Sequence, residues 1–160
     1  MATIDELPLR LRAFLRVYPW RSLSPVPWTR MPKSIADGNL SIVSTGGLIE
    51  RGQPAFDRWV QGGDFSFRTI SSDVDVHTLV DSHRSESFDH SGIHADPNLA
   101  FPLDRLRELE REGRIGRINR RHWSFMGSIT APGRLVARSA PEAAQQAVDD
   151  GVDAALLVPV

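Results

Sequence analysis

The chain has 160 residues, a net charge of −1 and 24% charged residues, so its overall charge does not attract nucleic acid or a membrane surface. It contains no cysteine, which excludes disulfides, cysteine metal ligands and a cysteine nucleophile within these residues. It also lacks an apolar run of about 18 residues and a basic-then-apolar leader, so we expect a cytoplasmic protein that neither spans nor binds a membrane.

Residues 1–39 are predicted to form an N-terminal helix followed by a proline-rich connector. Apolar side chains recur with helical spacing from Ile4 to Tyr18. Pro8 lacks the amide hydrogen that a helix interior needs, so the helix should begin near it. This helix either packs on the following domain or docks on a partner. The connector is indicated by Pro19, Pro25, Pro27 and Pro32.

Residues 40–160 are predicted to form one domain that begins with a buried strand over residues 40–45. Gly46 and Gly47 follow this strand. They form either a tight turn that requires a left-handed backbone or a site where backbone amides bind an anion. A second strand is predicted over residues 64–70. The apolar run at 152–158 is typical of a parallel strand that is covered on both faces.

Two helices are predicted between these strands. Leucines at every third position indicate a helix from about residue 103, which Gly113 should end. Ser139 and Glu142 have the spacing of a capping box for a helix over residues 140–150. Alternating strands and helices predict a small layered α/β domain with a mostly parallel sheet, Rossmann-like or flavodoxin-like, plus the N-terminal helix.

The polar side chains that carry possible chemistry are concentrated in one loop. Imidazoles and carboxylates there can bind a divalent metal, bind a substrate or transfer a proton, or they can simply face solvent. If a metal is bound, His83, His90 and His94 are its expected ligands. The candidates for a substrate or proton-transfer role are His83, Asp89, His90, His94, Asp96 and His122.

A second group of candidates is basic. Arg120 and Arg121 can bind the carboxylate of a small substrate, since a guanidinium matches carboxylate geometry. The alternative is an ordinary surface loop. Together with Gly46 and Gly47, these arginines are the candidate anion-binding residues of the chain.

Several segments together resemble the glycine/sarcosine/betaine/D-proline reductase selenoprotein B family. The resemblance covers most of residues 40–160 in order and is strongest over DPNLAFPLDRLRELEREGRIG. The other segments that carry it are LSIVSTGGL, GDFSFRTISSDVDVHTL, SHRSESFDHSGIHA, HWSFMG and DGVDAALLVPV.

The resemblance implies an oxidoreductase component that reductively cleaves a C–N or similar bond of an amino acid-like substrate, with a dithiol as electron donor. In the reverse direction, X-H and Y-H form an X-Y bond with a disulfide as acceptor. It implies as partners a thiol or thioredoxin-type donor, other reductase subunits or a second copy of the chain. In relatives, the segment similar to VDAALLVPV leads into a selenocysteine or cysteine. We therefore expect the nucleophile after Val160 and assign no catalytic residue or cofactor within these residues.

Two explanations of the missing nucleophile remain open at this point: a selenocysteine codon taken as a stop, or a naturally short relative. Two other functions also remain open. One is a non-catalytic α/β subunit that binds a small carboxylate or a protein partner. The other is a metal-dependent hydrolase or lyase that uses the histidine loop.

Overall fold

The computed structural model describes residues 4–18, 22–31, 33–85 and 88–160, which form two compact units, Met1–Arg30 and Met31–Val160. In the first unit, helix α1 (Leu9–Val17) begins directly after Pro8, which confirms the predicted start. A proline fits there because the first helical amides have no intrahelical acceptor. None of the helices in these ranges is long and apolar enough to cross a membrane.

The second unit contains the strands and the other α-helices of the described residues. The strands are β1 (Asn39–Ser44), β2 (Leu48–Ile49), β3 (Phe67–Ser71), β4 (Val80–Asp81), β5 (Arg117–Ile118), β6 (Arg121–Phe125) and β7 (Ala154–Val158). The helices are α2 (Ser91–Ala95), α3 (Leu103–Arg111) and α4 (Ala140–Asp149).

Strand β1 is the centre of the larger sheet. It pairs in parallel with β5 and then β6 along one side, and with β7 along the other. Strand β3 extends the sheet by antiparallel pairing with β6, while β2 and β4 form a small antiparallel pair. The mixed α/β fold with a mostly parallel sheet and an N-terminal helix confirms the predicted fold class.

The main core fills the space between the sheet and helix α3. Its fully buried side chains include Ile42, Ile70, Phe101 and Leu103. Helix α3 ends at Arg111, and Gly113 has a positive φ of 68°, as expected for the residue that ends a helix in the left-handed conformation. Helix α3 therefore follows its predicted pattern closely.

Two details of the predicted elements are wrong. The capping box at Ser139 does not form, because a π-helical turn, Leu135–Ser139, runs directly into α4 and Ser139 itself has helical φ and ψ. Its hydroxyl donates to the carbonyl oxygen of Phe65 instead. Strand β7 is parallel but is not covered on both faces, since Leu157 is 68% exposed. Within the described ranges β7 pairs with β1 alone, so it is an edge strand.

Candidate functional site

The carboxyl ends of three parallel strands, β1, β6 and β7, meet at one edge of the larger sheet. The Thr45 amide donates to the Val158 carbonyl oxygen at 3.1 Å, and the Val160 amide donates to Thr45 Oγ1 at 2.9 Å. These hydrogen bonds hold the residues after β1 and β7 together. Ligands of open α/β sheets bind beyond the carboxyl ends of strands, so this edge is the first place to look for a site.

A cavity of about 390 Å³ opens at this carboxyl edge. Most of its lining is apolar, with a hydroxyl from Thr45 and another from Ser128. Its lining residues are Val43, Thr45, Phe125, Gly127, Ser128, Ile129, Leu135, Ala140 and Val160. An apolar cavity with a few polar groups is the usual form of a small-molecule site.

His83 lies beside this edge and is 6% exposed. The Ser85 amide donates to His83 Nδ1 at 3.2 Å, which places the proton of the neutral ring on Nε2. Nε2 has no hydrogen-bond partner within the described ranges, and a Cβ added to Gly127 would lie 3.4 Å from it. Burial lowers the pKa of His83, and the nearby His90 lowers it further, so the ring is a neutral donor.

The glycine turn after β1 explains how His83 comes so close to the strand ends. Gly47 has a φ of 66°, and a Cβ there would lie 2.8 Å from His83 Cα. The Gly46 amide donates to Ser44 Oγ at 3.0 Å, and the Gly47 amide donates to the Phe125 carbonyl oxygen at 2.9 Å. Both amides thus have acceptors inside the protein, and anion binding by this turn stays a prediction.

A second polar cluster joins β4 to the start of α2. Asp81 Oδ2 accepts hydrogen bonds from His94 Nε2 at 2.8 Å and from His90 Nδ1. The other oxygen, Oδ1, accepts from the His83 amide at 2.9 Å. Burial raises the pKa of Asp81, but these hydrogen bonds outweigh it and hold the pKa below its usual value. The bond to Asp81 in turn raises the pKa of His90.

Asp81 is the residue that sequence reasoning missed. The ligand atoms of Asp81, His90 and His94 all lie within 4.8 Å of one another, and these are the residues that could hold a metal. His83 was the predicted third ligand, but its Nε2 lies beside Gly127. The available signal was a carboxylate two residues before His83, in the segment DSH.

The two other candidate carboxylates lie in local turns. Asp89 Oδ1 accepts from the Ser91 amide at 2.9 Å, and Asp96 Oδ1 accepts from the Asn98 amide at 2.9 Å. Both are short-range interactions that begin a helical turn. A substrate or proton-transfer role for these two residues stays a prediction.

His122 lies in the interior of the sheet, with no exposed surface. Its Nδ1 accepts from the Ile42 amide at 3.0 Å and is 3.1 Å from Ser41 Oγ. Burial lowers the pKa of His122 to about 4, so the ring is neutral at pH 7. The structure therefore places His122 in the core and away from the histidine loop, and its substrate role stays a prediction.

Arg120 and Arg121 lie at the opposite, amino edge of the sheet, where β6 begins. Both contact Asp150, whose side chain is 1% exposed: Arg121 Nε lies 2.6 Å from Oδ2, and Arg120 Nη2 lies 3.0 Å from Oδ1. Asn119 also donates to this carboxylate at 3.0 Å. The predicted anion-binding arginines are thus not brought together with Gly46 and Gly47, and they already bind a carboxylate of the protein.

Comparison with known proteins identifies relatives over almost the whole chain. The family model of glycine/sarcosine/betaine reductase selenoprotein B matches residues 8–160. The D-proline reductase subunit gamma of Acetoanaerobium sticklandii is 32% identical over 136 residues, which cover 84% of this chain and 54% of that protein. No solved structure shows significant similarity.

Two further relatives come from Peptoclostridium acidaminophilum. Glycine reductase complex component B subunit gamma is 32% identical over 150 residues, 88% of this chain and 32% of the relative. Sarcosine reductase complex component B subunit beta is 31% identical over 164 residues, 96% of this chain and 36% of the relative. The chain spans about half the length of the D-proline reductase subunit and about a third of the other two. With its match over residues 8–160, the chain belongs to the glycine/sarcosine/betaine reductase selenoprotein B family.

Proposed function

We propose that this chain is part of a reductase component that cleaves a C–N or similar bond of a small amino acid-like substrate. The observation that carries the proposal is the meeting of β1, β6 and β7 around the apolar cavity at Thr45, Gly127 and Val160. In family members, the segment similar to the end of β7 leads into the redox-active residue. The strand order therefore supports a nucleophile beside this cavity.

The reaction has two parts. A selenolate or thiolate attacks the substrate carbon and the C–N bond breaks. The nitrogen leaves as an amine, taking up a proton where it is not quaternary, or in a cyclic substrate such as D-proline it stays attached as the amino group of the opened ring. A dithiol then cleaves the new carbon–selenium or carbon–sulfur bond. The dithiol becomes a disulfide, the carbon gains a hydrogen, and the nucleophile is regenerated. Two electrons pass from the dithiol to the substrate, so the disulfide is the oxidised product.

His83 is the residue of this chain that we assign to the reaction. Its Nε2–H is a buried donor without an acceptor within the described ranges, which costs about 1–3 kcal/mol. A substrate carboxylate or a departing nitrogen at the strand ends would supply that acceptor. His83 is then a donor that orients the substrate, held in place by the Gly47 turn and by the bond from its amide to Asp81.

The partners follow from the same chemistry. The relatives are named as subunits of reductase complexes, which supports other reductase subunits as partners of this chain. A small thiol or a thioredoxin-type protein would supply the electrons.

The test is amine release by the assembled complex that contains this chain, with dithiothreitol as donor. Glycine, sarcosine, betaine and D-proline serve as substrates, and for D-proline, whose nitrogen stays on the opened ring, the new primary amine is counted as the released amine. We expect at least one to release its amine, and we expect His83→Gln to lower the rate about a hundredfold, as when a donor to a developing charge is removed. His77→Gln is the matched control, since His77 is 63% exposed and does not line the cavity.

Two outcomes would overturn the proposal. One is a complete complex that cleaves the C–N bond of none of the four substrates, while one of them binds to the chain; this would favour a non-catalytic carboxylate-binding subunit. The other is a coding sequence with neither a selenocysteine nor a cysteine codon shortly after Val160. An unchanged rate in His83→Gln would remove His83 from the mechanism.

A further inference from the structure

The cluster at the start of α2 has a geometry that reductive cleavage does not require. His90 and His94 are four residues apart, which places them on the same side of one helical turn. Their ring nitrogens, His90 Nδ1 and His94 Nε2, both point at a single oxygen, Asp81 Oδ2. We propose that Asp81, His90 and His94 bind a divalent transition-metal ion of the zinc class.

The distances fit such an ion. Zinc holds imidazole nitrogens and carboxylate oxygens at about 2.0–2.2 Å, so two ligand atoms on one ion lie at most about 4.4 Å apart. The ligand atoms of these three side chains lie within 4.8 Å of one another, close to that limit. Asp81 Oδ2 contacts both imidazole nitrogens directly, so the side chains have to move apart for an ion to enter between them.

The types of ligand select the class of ion. Two neutral imidazoles and one carboxylate suit zinc, cobalt, nickel or iron, whereas calcium and magnesium take mainly oxygen ligands. Three protein ligands leave at least one position for water or another small molecule. The His94 side chain is 62% exposed, so the open position is accessible from solvent.

The surrounding contacts also resemble those of metal-binding histidines. Such a histidine usually donates its second ring nitrogen to a carbonyl or carboxylate oxygen, which fixes the ring and its tautomer. His90 Nε2 lies 3.4 Å from the carbonyl oxygen of Ser85, and Asp81 Oδ1 accepts from the His83 amide. These contacts direct His90 Nδ1 and Asp81 Oδ2 towards the same point.

An ion pair by itself explains this arrangement poorly. A pair that involves a side chain as exposed as His94 contributes about 0–1 kcal/mol. A metal ion would bind all three ligands at once.

The experiment uses the full chain, first stripped of metal with a chelator. Zn²⁺ is then titrated against a competing colorimetric indicator, and Co²⁺ is bound in parallel to read its visible absorption. We expect one Zn²⁺ per chain, a higher melting temperature with zinc, and the strong absorption of four- or five-coordinate Co²⁺. None of these measurements depends on amine release, so failure here and failure of the reductase proposal are distinguishable.

Two single-histidine variants provide the comparison. His94→Ala removes a ligand, and we expect zinc affinity to fall by at least about tenfold, the lower limit for loss of even an outer contact. His77→Ala is the matched control, because His77 is 63% exposed and lies outside the cluster. Circular dichroism checks that both variants fold, and Asp81→Asn provides a second ligand variant. The proposal is overturned if wild type binds no stoichiometric zinc, or if His94→Ala and Asp81→Asn bind it as tightly as His77→Ala.

Discussion

The two edges of the larger sheet differ in whether their polar groups have hydrogen-bond partners. At the amino edge, the Asp150 carboxylate is enclosed by Arg120, Arg121 and Asn119, and each of its oxygens has partners. At the carboxyl edge, His83 Nε2 has no partner in the described part of the chain and lies next to Gly127, which lines an apolar cavity. A network that is satisfied internally stabilises a fold, whereas an unpaired donor beside a cavity is what a ligand site requires.

The largest effect is expected from breaking the amino edge with Asp150→Ala. Removal of this carboxylate leaves two guanidiniums without their anion. The pair with Arg121 is the more enclosed of the two, and breaking a fully buried pair costs about 3–5 kcal/mol. We expect a loss near the lower end of that range, because Arg120 reaches solvent. Urea unfolding measures the loss.

The control for that variant is Asp149→Ala, since Asp149 is exposed and accepts only from Gln145 in the same helix. Its free energy of unfolding should change by no more than about 0.5 kcal/mol. Equal losses in the two variants would mean that the amino edge is not a stabilising network.

The next largest effect is the pH dependence of folding stability that His122 contributes. This residue lies between the two edges. Its pKa is about 4 in the folded protein and 6.5 unfolded, so below pH 6.5 the unfolded state binds the extra proton. Stability from this residue is complete above pH 6.5 and is lost as the pH falls to about 4. At about 1.4 kcal/mol per pKa unit, the loss is about 3 kcal/mol.

Urea unfolding of wild type and His122→Gln between pH 7 and pH 4 checks this expectation. Wild type should lose stability over that window, and the variant should lose about 3 kcal/mol less over the same window. If the free energy of unfolding of His122→Gln depends on pH as strongly as that of wild type, the contribution assigned to His122 is contradicted.

A smaller effect is expected at the glycine turn of the carboxyl edge. Gly47 and Gly113 have nearly equal positive φ angles, 66° and 68°, but only Gly47 has neighbours within 4 Å of an added Cβ. Gly113→Ala should cost about 1 kcal/mol from backbone strain alone. Gly47→Ala should cost about 2 kcal/mol or more, since its Cβ also meets the backbone of His83.

Thermal unfolding measures the stability of both glycine variants. The additional loss in Gly47→Ala is the cost of the steric contact with His83, since both variants have the backbone strain. Gly47→Ala should also slow amine release, because it displaces His83 from the strand ends. Equal stability of the two variants would show that the close approach of the turn to His83 does not affect the free energy of unfolding.

The smallest effect is expected for Arg120→Ala. Its side chain is 80% exposed, and exposed ion pairs contribute about 0–1 kcal/mol. The variant should keep near-wild-type stability and unchanged amine release, as measured by urea unfolding and by the substrate assay. A large loss of substrate affinity would instead restore the carboxylate-binding role predicted for Arg120.

Much of the fold was predictable because it depends on short-range patterns. The leucine spacing of α3, the left-handed Gly113 and the start of α1 at Pro8 each depend on neighbours within a few residues. The β1 strand was predicted within one residue. The capping box at Ser139 failed because a tertiary contact with Phe65 and a continuous helical turn overrode the local motif.

The sequence by itself determined the family, the mixed α/β class and the absence of a cysteine nucleophile within these residues. Only the tertiary structure decided which polar groups meet. It joined Asp81 to histidines 9 and 13 residues away, and it separated Gly46–Gly47 from the arginines at the opposite edge. The physical reason is the distance along the sequence over which each effect acts. Periodicity and turn chemistry act between near neighbours, whereas a site depends on strand pairing that brings distant segments within a few ångströms.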